Sequence, residues 1–536
     1  MRRPLRRKAL IVGLLAVWTA VAVRQLVLHD AAWLSAIFFA TGLYGTFLMG
    51  VAVWGRRSAA RGDGDRAGPA GGATRLFVSI IVPARNEQDV IADTVRCLCA
   101  LDYRDAAGRP WFEVIVVDHR STDRTPQVLA TLRREVAFTV VRPSVEDGVG
   151  KAVALNVGLA AARGDAICVF DADARVAPDF LSRLVPHLER PGVAGVQARK
   201  LVYNGRGNLL IRAQEDDYVV FQTLTQRSRH LLGGAVILTG NGLVTTRASL
   251  EAVGGWNEDA LTEDIDLSIR YALRGWTVHY CEDVVVWEEA VPTWRGLVQQ
   301  RTRWSEGSLG CLFEYAWALL RAPIPWRKRI DFLVFLSGSL VLALSMITSY
   351  LFLAEDWLIG SGAHRLSMLT ALPVAQHQPW YAYYWIVVML STVVGIAVER
   401  VRTPVGVLVT SARYMIFATH QIVTLPLALY RYTRSVFTGR IEWMKTEHRG
   451  AGRPVFPARR IIEAPRPPVA RPGAARAAKA VAAMSPRSSP IGVATLAQAV
   501  GPEWLQSRQV DSVASAASPR SASHDVRSPL SRLTRP

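Results

Sequence analysis

From Leu76 onward the chain alternates short β-branched runs with amphipathic ones, and each β-branched run stops at a charged residue. LFVSIIVPA reads as a strand that ends in a loop at Arg85-Asn86-Glu87. Val90 to Leu101 has helical spacing. FEVIVVD is a second strand and Thr125 to Glu135 a helix. AFTVVRP is a third strand and Lys151 to Ala162 another helix. AICVFDADA is a fourth strand that breaks at its acidic pair. Strands that alternate with helices predict an α/β fold, with a parallel sheet covered on both faces. Ligands in such sheets collect at the carboxyl ends of the strands. Asp118 ends the second strand, and Asp171 and Asp173 end the fourth, so the pattern predicts that these carboxylates line one site.

Apolar segments flank this stretch. Leu10 to Leu28, apolar except for Arg24 and Gln25, is followed at once by Ala31 to Trp54. No small-residue cleavage site marks a signal peptide, so residues 1–57 are expected to form two membrane helices with a tight turn at His29-Asp30. Residues 58–74 read as a Gly/Ala/Asp linker. Residues 75–291 are the expected enzyme domain. From 292 to 329 an amphipathic stretch carries Trp294, Trp304, Phe313, Tyr315, Trp317 and Trp326 among basic residues. It suits helices at a bilayer surface, with an ordinary core-facing helix as the alternative. Residues 330–449 hold three expected spans, Ile330–Leu353, Tyr381–Val398 and Pro404–Leu429, the last interrupted by Arg413 and His420. Leu358–Gln376 is a weak further candidate with His364 and Arg365 against it. Five spans from a cytoplasmic start would put the C-terminus outside, yet Arg431, Arg434, Arg440, Lys445 and Arg449 argue for inside. One late segment is therefore re-entrant or interfacial, or the count is off. Residues 450–536, rich in Arg, Pro, Ala and Ser, are expected to be a disordered basic tail.

The net charge of +19 admits two readings. Basic charge can bind nucleic acid, or it can mark the cytoplasmic flanks of membrane segments. Here it clusters beside apolar runs (Arg2, Arg3, Arg6, Arg7, Lys8; Arg56, Arg57, Arg61; Arg327, Lys328, Arg329), which favours a multi-pass inner-membrane protein with a cytoplasmic catalytic domain and no nucleic-acid partner. The five cysteines are odd in number and, beyond Cys97-x-Cys99, have no metal-ligand spacing. They read as reduced thiols.

Asp171 and Asp173, one residue apart at a strand end, can reach one point as the chain turns. Paired carboxylates need a cation or a shared proton to coexist. Oxygen ligands favour a hard ion, Mg2+ or Mn2+, and two carboxylates leave coordination positions for a diphosphate. A helix-capping surface loop is the bland alternative. Asp264, in LTEDIDL, falls near a helix N-terminus. There it can act as a general base toward an acceptor hydroxyl, or, like Glu263 and Asp266, simply complement the helix dipole. QQRTRW sets Gln300, Arg303 and Trp304 on one helical face. The set suits a diphosphate and a sugar, or an interfacial anchor. No GxxxxGK[ST] supports a P-loop, and the histidines are scattered.

In order, VSIIVPARNE, VVDHRSTDRT, GKAVALNVGL, FDADA, TEDIDL and QQRTRW resemble the inverting, membrane-integrated family-2 glycosyltransferases, the class of cellulose, chitin, hyaluronan and poly-N-acetylglucosamine synthases. Within that class FDADARVAPDFL, VAGVQARK, TGNGLVTTRASLEAVGGWNEDALTEDIDLSIR, RTRWSEG and WMKTEH look closest to bacterial glucosyltransferases that build β-monoglucosyldiacylglycerol. The resemblance implies a GT-A fold, a UDP-sugar donor, a divalent ion, and a membrane lipid or a growing glycan as acceptor. It implies that Asp118 contacts uridine with Ala84 and Glu87 beside it, and that Lys151 faces the diphosphate. Asp171 and Asp173 then hold the donor through the metal, Asp173 the more directly. Asp264 is the base, and Glu263, Gln300, Arg303 and Trp304 close over the diphosphate and acceptor. Where the class often has two aspartates, this chain has Asp118-His119, so residue 119 is assigned no role. Hexosyl transfer to a lipid is the leading expectation. A processive synthase that secretes a β-glycan is the alternative.

Overall fold

The computed structural model describes residues 3–28, 32–60, 76–144, 148–205, 207–359, 379–399, 403–439 and 450. The His29-Asp30 turn, most of the 58–74 linker, most of Leu358–Gln376, the WMKTEH stretch and the tail beyond 450 lie outside the described residues.

Eight strands form one sheet. They are β1 Val78–Ala84, β2 Phe112–Asp118, β3 Thr139–Val141, β4 Ala166–Val169, β5 Arg175–Val176, β6 Val193–Val202, β7 Leu243–Thr246 and β8 Thr277–Glu288. Their order is β3-β2-β1-β4-β7-β6-β8-β5. The strands expected from the sequence are β1 to β4, and they are mutually parallel where they pair. The expectation of a wholly parallel sheet is corrected by β7, which runs antiparallel to both β4 and β6. The chain enters β7 through Gly240 and Gly242, both at positive φ (78° and 70°), where most side chains would be strained.

Alternation along the strands divides the core, because successive side chains point to opposite faces. Val78, Ile80 and Val82 pack with the helices Ile91–Cys99 and Thr125–Leu132. Ile81, Ile115, Val117 and Val169 face the helices Lys151–Ala161 and Glu263–Leu273. These faces are fully buried, so the strand ends have a rigid base.

Beyond the sheet, Leu209–Val220 continues through a π-helical stretch, Phe221–Arg227, into Ser228–Leu231. Long helices follow at Trp294–Arg321 and Trp326–Ile359, then Pro379–Glu399, Pro404–Ala418 and Gln421–Thr438. The two N-terminal helices are Arg3–Leu28 and Ala32–Ala60. The segments expected as spans are thus helical, but among the described residues no helix is long and apolar enough to cross a membrane. The single helix expected over Pro404–Leu429 is broken. Thr419 Oγ1 and the His420 ring hydrogen-bond the carbonyls of Ile416 (2.6 Å) and Phe417 (2.8 Å), which a continuing helix would have used.

Charges in and beside these segments have partners in the protein. Arg413 donates from Nε to buried Asp216 at 2.7 Å. Arg431 pairs with Glu306 at 3.1 Å, and Arg229 with Asp331 at 3.0 Å. Removing one member of such a buried pair strands the other, which costs more than the pair contributes. These ties fix the helices to one another.

Candidate active site

Ala84 and Asp118 are register partners at the ends of β1 and β2. The loops that follow are laced together. The Asn86 N–H donates to Ser121 Oγ (3.0 Å), the Thr122 N–H donates to Asn86 Oδ1 (2.7 Å), and the Glu87 N–H donates to Thr125 Oγ1 (2.8 Å). Asn86 takes φ of 55°, a conformation asparagine tolerates better than most residues. The lacing holds buried Glu87 against the cavity.

The acidic turn after β4 is pinned from beneath. The buried Arg175 guanidinium donates to Thr94 Oγ1 (2.6 Å) and to the Ala174 carbonyl (2.9 Å). The Asp171 N–H donates to Asn241 Oδ1 at 3.2 Å, and Asp173 Oδ2 accepts from the Glu289 N–H at 2.7 Å. Lys151, the first residue of its helix, reaches Asp171 Oδ1 at 2.7 Å and Glu263 Oε1 at 3.1 Å. Burial pushes the Lys151 ammonium down, but Asp171 and Glu263 outweigh it and hold the group well above the ordinary lysine range.

The three acids that open the Glu263–Leu273 helix divide by role. Asp266 is structural. It accepts from Arg270 Nε (2.6 Å), Asn257 Nδ2 (2.9 Å) and Tyr315 OH (2.6 Å). Glu263 pairs with Lys151. Asp264 faces the cavity and accepts from the Ile265 N–H at 2.8 Å. Burial and the neighbouring Glu263 charge push its carboxyl up to about 6, against the opposing pull of Lys151. A base poised near neutrality is what proton abstraction requires.

One cavity of about 560 Å3 gathers these groups. Ala84, Glu87, Lys151, Asp171, Asp173, Glu263, Asp264, Gln300, Arg303 and Trp304 all line it. Asp118 does not. It is 3 % exposed and pairs with Arg142 Nε at 3.1 Å. His119, assigned no role from the sequence, lines the cavity instead, with its Nε2 accepting from the Gly150 N–H at 3.3 Å.

Among the lining residues, Gln222 Oε1, Thr239 Oγ1, Gln300 Oε1, Arg301 Nε and Arg303 Nε are buried polar atoms with no hydrogen-bond partner among the described residues. Such atoms are costly unless a ligand meets them. The Asp171 and Asp173 carboxylates offer oxygen donors to the cavity, a chemistry that suits Mg2+ or Mn2+. Among the described residues no group of three or more His, Cys, Asp or Glu could hold an ion.

The sequence reading missed the far wall. Glu288, at the end of β8, accepts from Tyr218 OH (2.5 Å) and Asn241 Nδ2 (3.0 Å) and pairs with Lys200 Nζ (2.9 Å). Lys200 in turn lies over the Tyr218 and Trp304 rings, at 5.6 and 5.9 Å. Arg301, rather than Arg303, stacks on Trp304 at 4.5 Å and pairs with Asp217 at 2.9 Å. VVVWEE follows the same rule as VFDADA, an apolar run that stops at acids, so the signal was present. The π-helical stretch, which supplies Phe221, Gln222, Leu224 and Thr225 to the cavity, had no such signal.

Acidic groups at the ends of parallel strands, a lysine at a helix start and the Asp264 carboxylate thus share one cavity. Residues 75–307 match the family described as glycosyltransferase like family 2. The chain is 34% identical over 383 residues to a beta-monoglucosyldiacylglycerol synthase of Nostoc, covering 70% of this chain and 77% of that one. It is 31% identical over 449 residues to the enzyme of the same name from Synechocystis, covering 83% and 89%. A poly-beta-1,6-N-acetyl-D-glucosamine synthase of Staphylococcus aureus is 27% identical over 43% of this chain and 54% of its own length. A mannosyltransferase structure from Pyrobaculum calidifontis, in complex with GDP-Man and Mn2+, superposes with a TM-score of 0.48 at 23% identity, covering 67% of this chain and 98% of that one. The chain belongs to the family-2 glycosyltransferases and is an enzyme of that class.

Gly240 tests how tightly the site is built. At φ of 78°, a Cβ there would stand 3.1 Å from both Asp264 Oδ2 and Lys151 Nζ. Gly240→Ala is expected to lower stability by about 1–3 kcal/mol from the backbone alone. Because the methyl also crowds the Asp264 carboxylate and the Lys151 ammonium, transfer should fall further than unfolding accounts for. Chemical denaturation and initial rates on one preparation separate the two losses.

Proposed function

We propose that the enzyme transfers a hexose, glucose in the first instance, from a UDP-sugar to a membrane lipid such as diacylglycerol, with inversion at the anomeric carbon. The observation that carries this is the mixed lining of the cavity. Lys151, Asp171, Asp173 and Asp264 line it from strand ends and helix starts of the sheet domain. Val220, Phe221, Leu224, Phe335, Leu342 and Leu425 line it from helices beyond the sheet. An apolar wall accepts acyl chains, whereas a growing glycan calls for polar and aromatic sugar contacts along its path. The cyanobacterial relatives are named for the same product.

Lys151 and Arg303 meet the diphosphate as charged donors, and Gln300 orients it. Asp171 and Asp173 would hold a divalent ion, whose charge offsets that of the departing diphosphate. Glu87, Ala84 and the Asp118-His119 corner bound the nucleoside end. Asp264 takes the acceptor proton as the acceptor oxygen attacks opposite the leaving group. One displacement turns an α-linked donor into a β-glycoside, with no covalent intermediate of the kind that retaining hydrolases use. Only ionised Asp264 can accept the proton. The rate is therefore expected to fall about tenfold per unit as pH drops below about 6. Initial rates at saturating donor across pH 5 to 8 check this.

A lipid acceptor places the enzyme at a membrane, with the donor end facing the nucleotide-sugar pool of the cytoplasm. Leu43, Phe47 and Trp54, then Ile386 and Met389, then Val405, Leu408 and Ile416 are about half exposed or more. Apolar surface on this scale needs cover.

Product partitioning tests the reading. The enzyme is incubated with Mg2+, labelled UDP-glucose and mixed membrane lipids, then extracted with organic solvent. Label in the organic phase, released by a β-glucosidase, is the expected result. Label in an alcohol-insoluble pellet would identify a polymer synthase and overturn the lipid acceptor.

A further inference from the structure

The turn that joins the Trp294–Arg321 and Trp326–Ile359 helices takes no part in the cavity. From Trp317 to Ile330 it reads WALLRAPIPWRKRI, with four cations and no carboxylate. Its outward side is apolar: Trp317 is 50 %, Leu320 49 %, Trp326 63 % and Ile330 49 % exposed. The four cations split into two kinds. Lys328 and Arg329 serve the fold. Lys328 is buried and donates to the Trp276 carbonyl (3.3 Å), while Arg329 closes the preceding helix through the carbonyls of Ile324 (2.8 Å) and Leu320 (3.0 Å). Arg321 and Arg327 have no carboxylate partner among the described residues. Each lies over an exposed indole instead, Arg321 over Trp317 at 3.9 Å and Arg327 over Trp326 at 5.8 Å.

We infer that this turn is a docking patch for an anionic phospholipid surface. The inference rests on the membrane-surface reading above and adds the lipid class to it. Indoles settle at the depth of the headgroups. Two guanidiniums held beside them, without internal counter-charges, stand where lipid phosphates would be. The absence of any carboxylate across the turn removes the repulsion that a negative surface would otherwise meet. A protein partner is the less suitable occupant, because Arg321 and Arg327 lie over exposed indoles, the pairing of charge and amphipathic ring that a headgroup layer takes up. Each basic side chain at an anionic surface strengthens binding about fivefold, so the two arginines together contribute about thirtyfold.

The test uses the full chain reconstituted into phosphatidylcholine bilayers that carry brominated phosphatidylglycerol or, in parallel, brominated phosphatidylcholine. Tryptophan quenching reports which lipid lies against the indoles. The expected result is half-maximal quenching at a much lower mole fraction of brominated phosphatidylglycerol than of brominated phosphatidylcholine. Joint Arg321→Ala and Arg327→Ala replacement should weaken that preference by about thirtyfold. Joint Trp317→Ala and Trp326→Ala replacement should remove the selectively quenched component. Equal quenching by the two lipids, or a preference untouched by the arginine replacements, overturns the patch. Quenching by neither lipid overturns the membrane reading along with it. Transfer in detergent micelles should match the parent for every variant, which shows that each is folded. Because quenching requires no turnover, the patch can fail while the transferase reading stands, and the reverse.

Discussion

An Asp264→Asn enzyme is expected to turn over about 10²- to 10⁴-fold more slowly than the parent while binding UDP with unchanged affinity. The substitution is close to isosteric. The amide oxygen can still accept the Ile265 N–H that Asp264 Oδ1 accepts at 2.8 Å, so the helix start is retained. What is lost is the capacity to take a proton. Stability should move the other way. Burial and the Glu263 charge raise the Asp264 carboxyl from 3.8 to about 6, so its ionised form burdens the fold above about pH 6 and imposes nothing below the ordinary carboxylate range. At pH 7 to 8 the asparagine enzyme should therefore melt no lower than the parent. A dead enzyme with an undiminished melting temperature and intact UDP binding would establish the base. Turnover within a few-fold of the parent would sink the assignment. Glu263→Gln is the companion variant. It removes the second cause of the raised carboxyl, so its acid limb should move to lower pH.

The sequence showed the parallel half of this sheet more clearly than the rest, for a physical reason. FEVIVVD and AICV are buried on both faces, so they stand out as continuous apolar runs between polar turns. Each ends where the sheet stops and the cavity begins, so acids at run ends marked the site. The second half follows other rules. β7 is four residues long and runs antiparallel after two glycines at positive φ, a reversal that hydrophobic period does not encode. The π-helical stretch Phe221–Arg227 differs from an α-helix only in hydrogen-bond register. Arg413 and His420 were read as blemishes in a membrane span, because a sequence gives no view of Asp216 or of the Phe417 carbonyl across the fold. The strand end directs attention to Asp118, which pairs with Arg142, while the next residue, His119, lines the cavity without any signal in the sequence that would single it out.

Lys151→Met should produce the second large effect, and it separates two roles that the lysine combines. Its ammonium lies between Asp171 (2.7 Å) and Glu263 (3.1 Å), and its charge also lowers the Asp264 carboxyl. Methionine keeps the length of the side chain and removes the charge, leaving three carboxylates together. The Lys151–Asp171 pair is partly exposed, so its loss should cost less than the roughly 3–5 kcal/mol of a fully buried pair, and a lower melting temperature is expected. Two further changes would not follow from weakened packing alone. With the opposing pull gone, burial and Glu263 act on Asp264 unchecked, so the acid limb of the rate profile should move above pH 6. A charged hydrogen bond to the diphosphate is worth about 1.5–3 kcal/mol, so the donor KM should rise roughly 10- to 150-fold. Lys151→Arg keeps the charge and should return the acid limb toward its parent position, even if the longer side chain fits the donor poorly. If the methionine enzyme is merely less stable, with donor KM and acid limb unmoved, then Lys151 braces the acidic turn and the diphosphate is held by Arg303 and its neighbours without it.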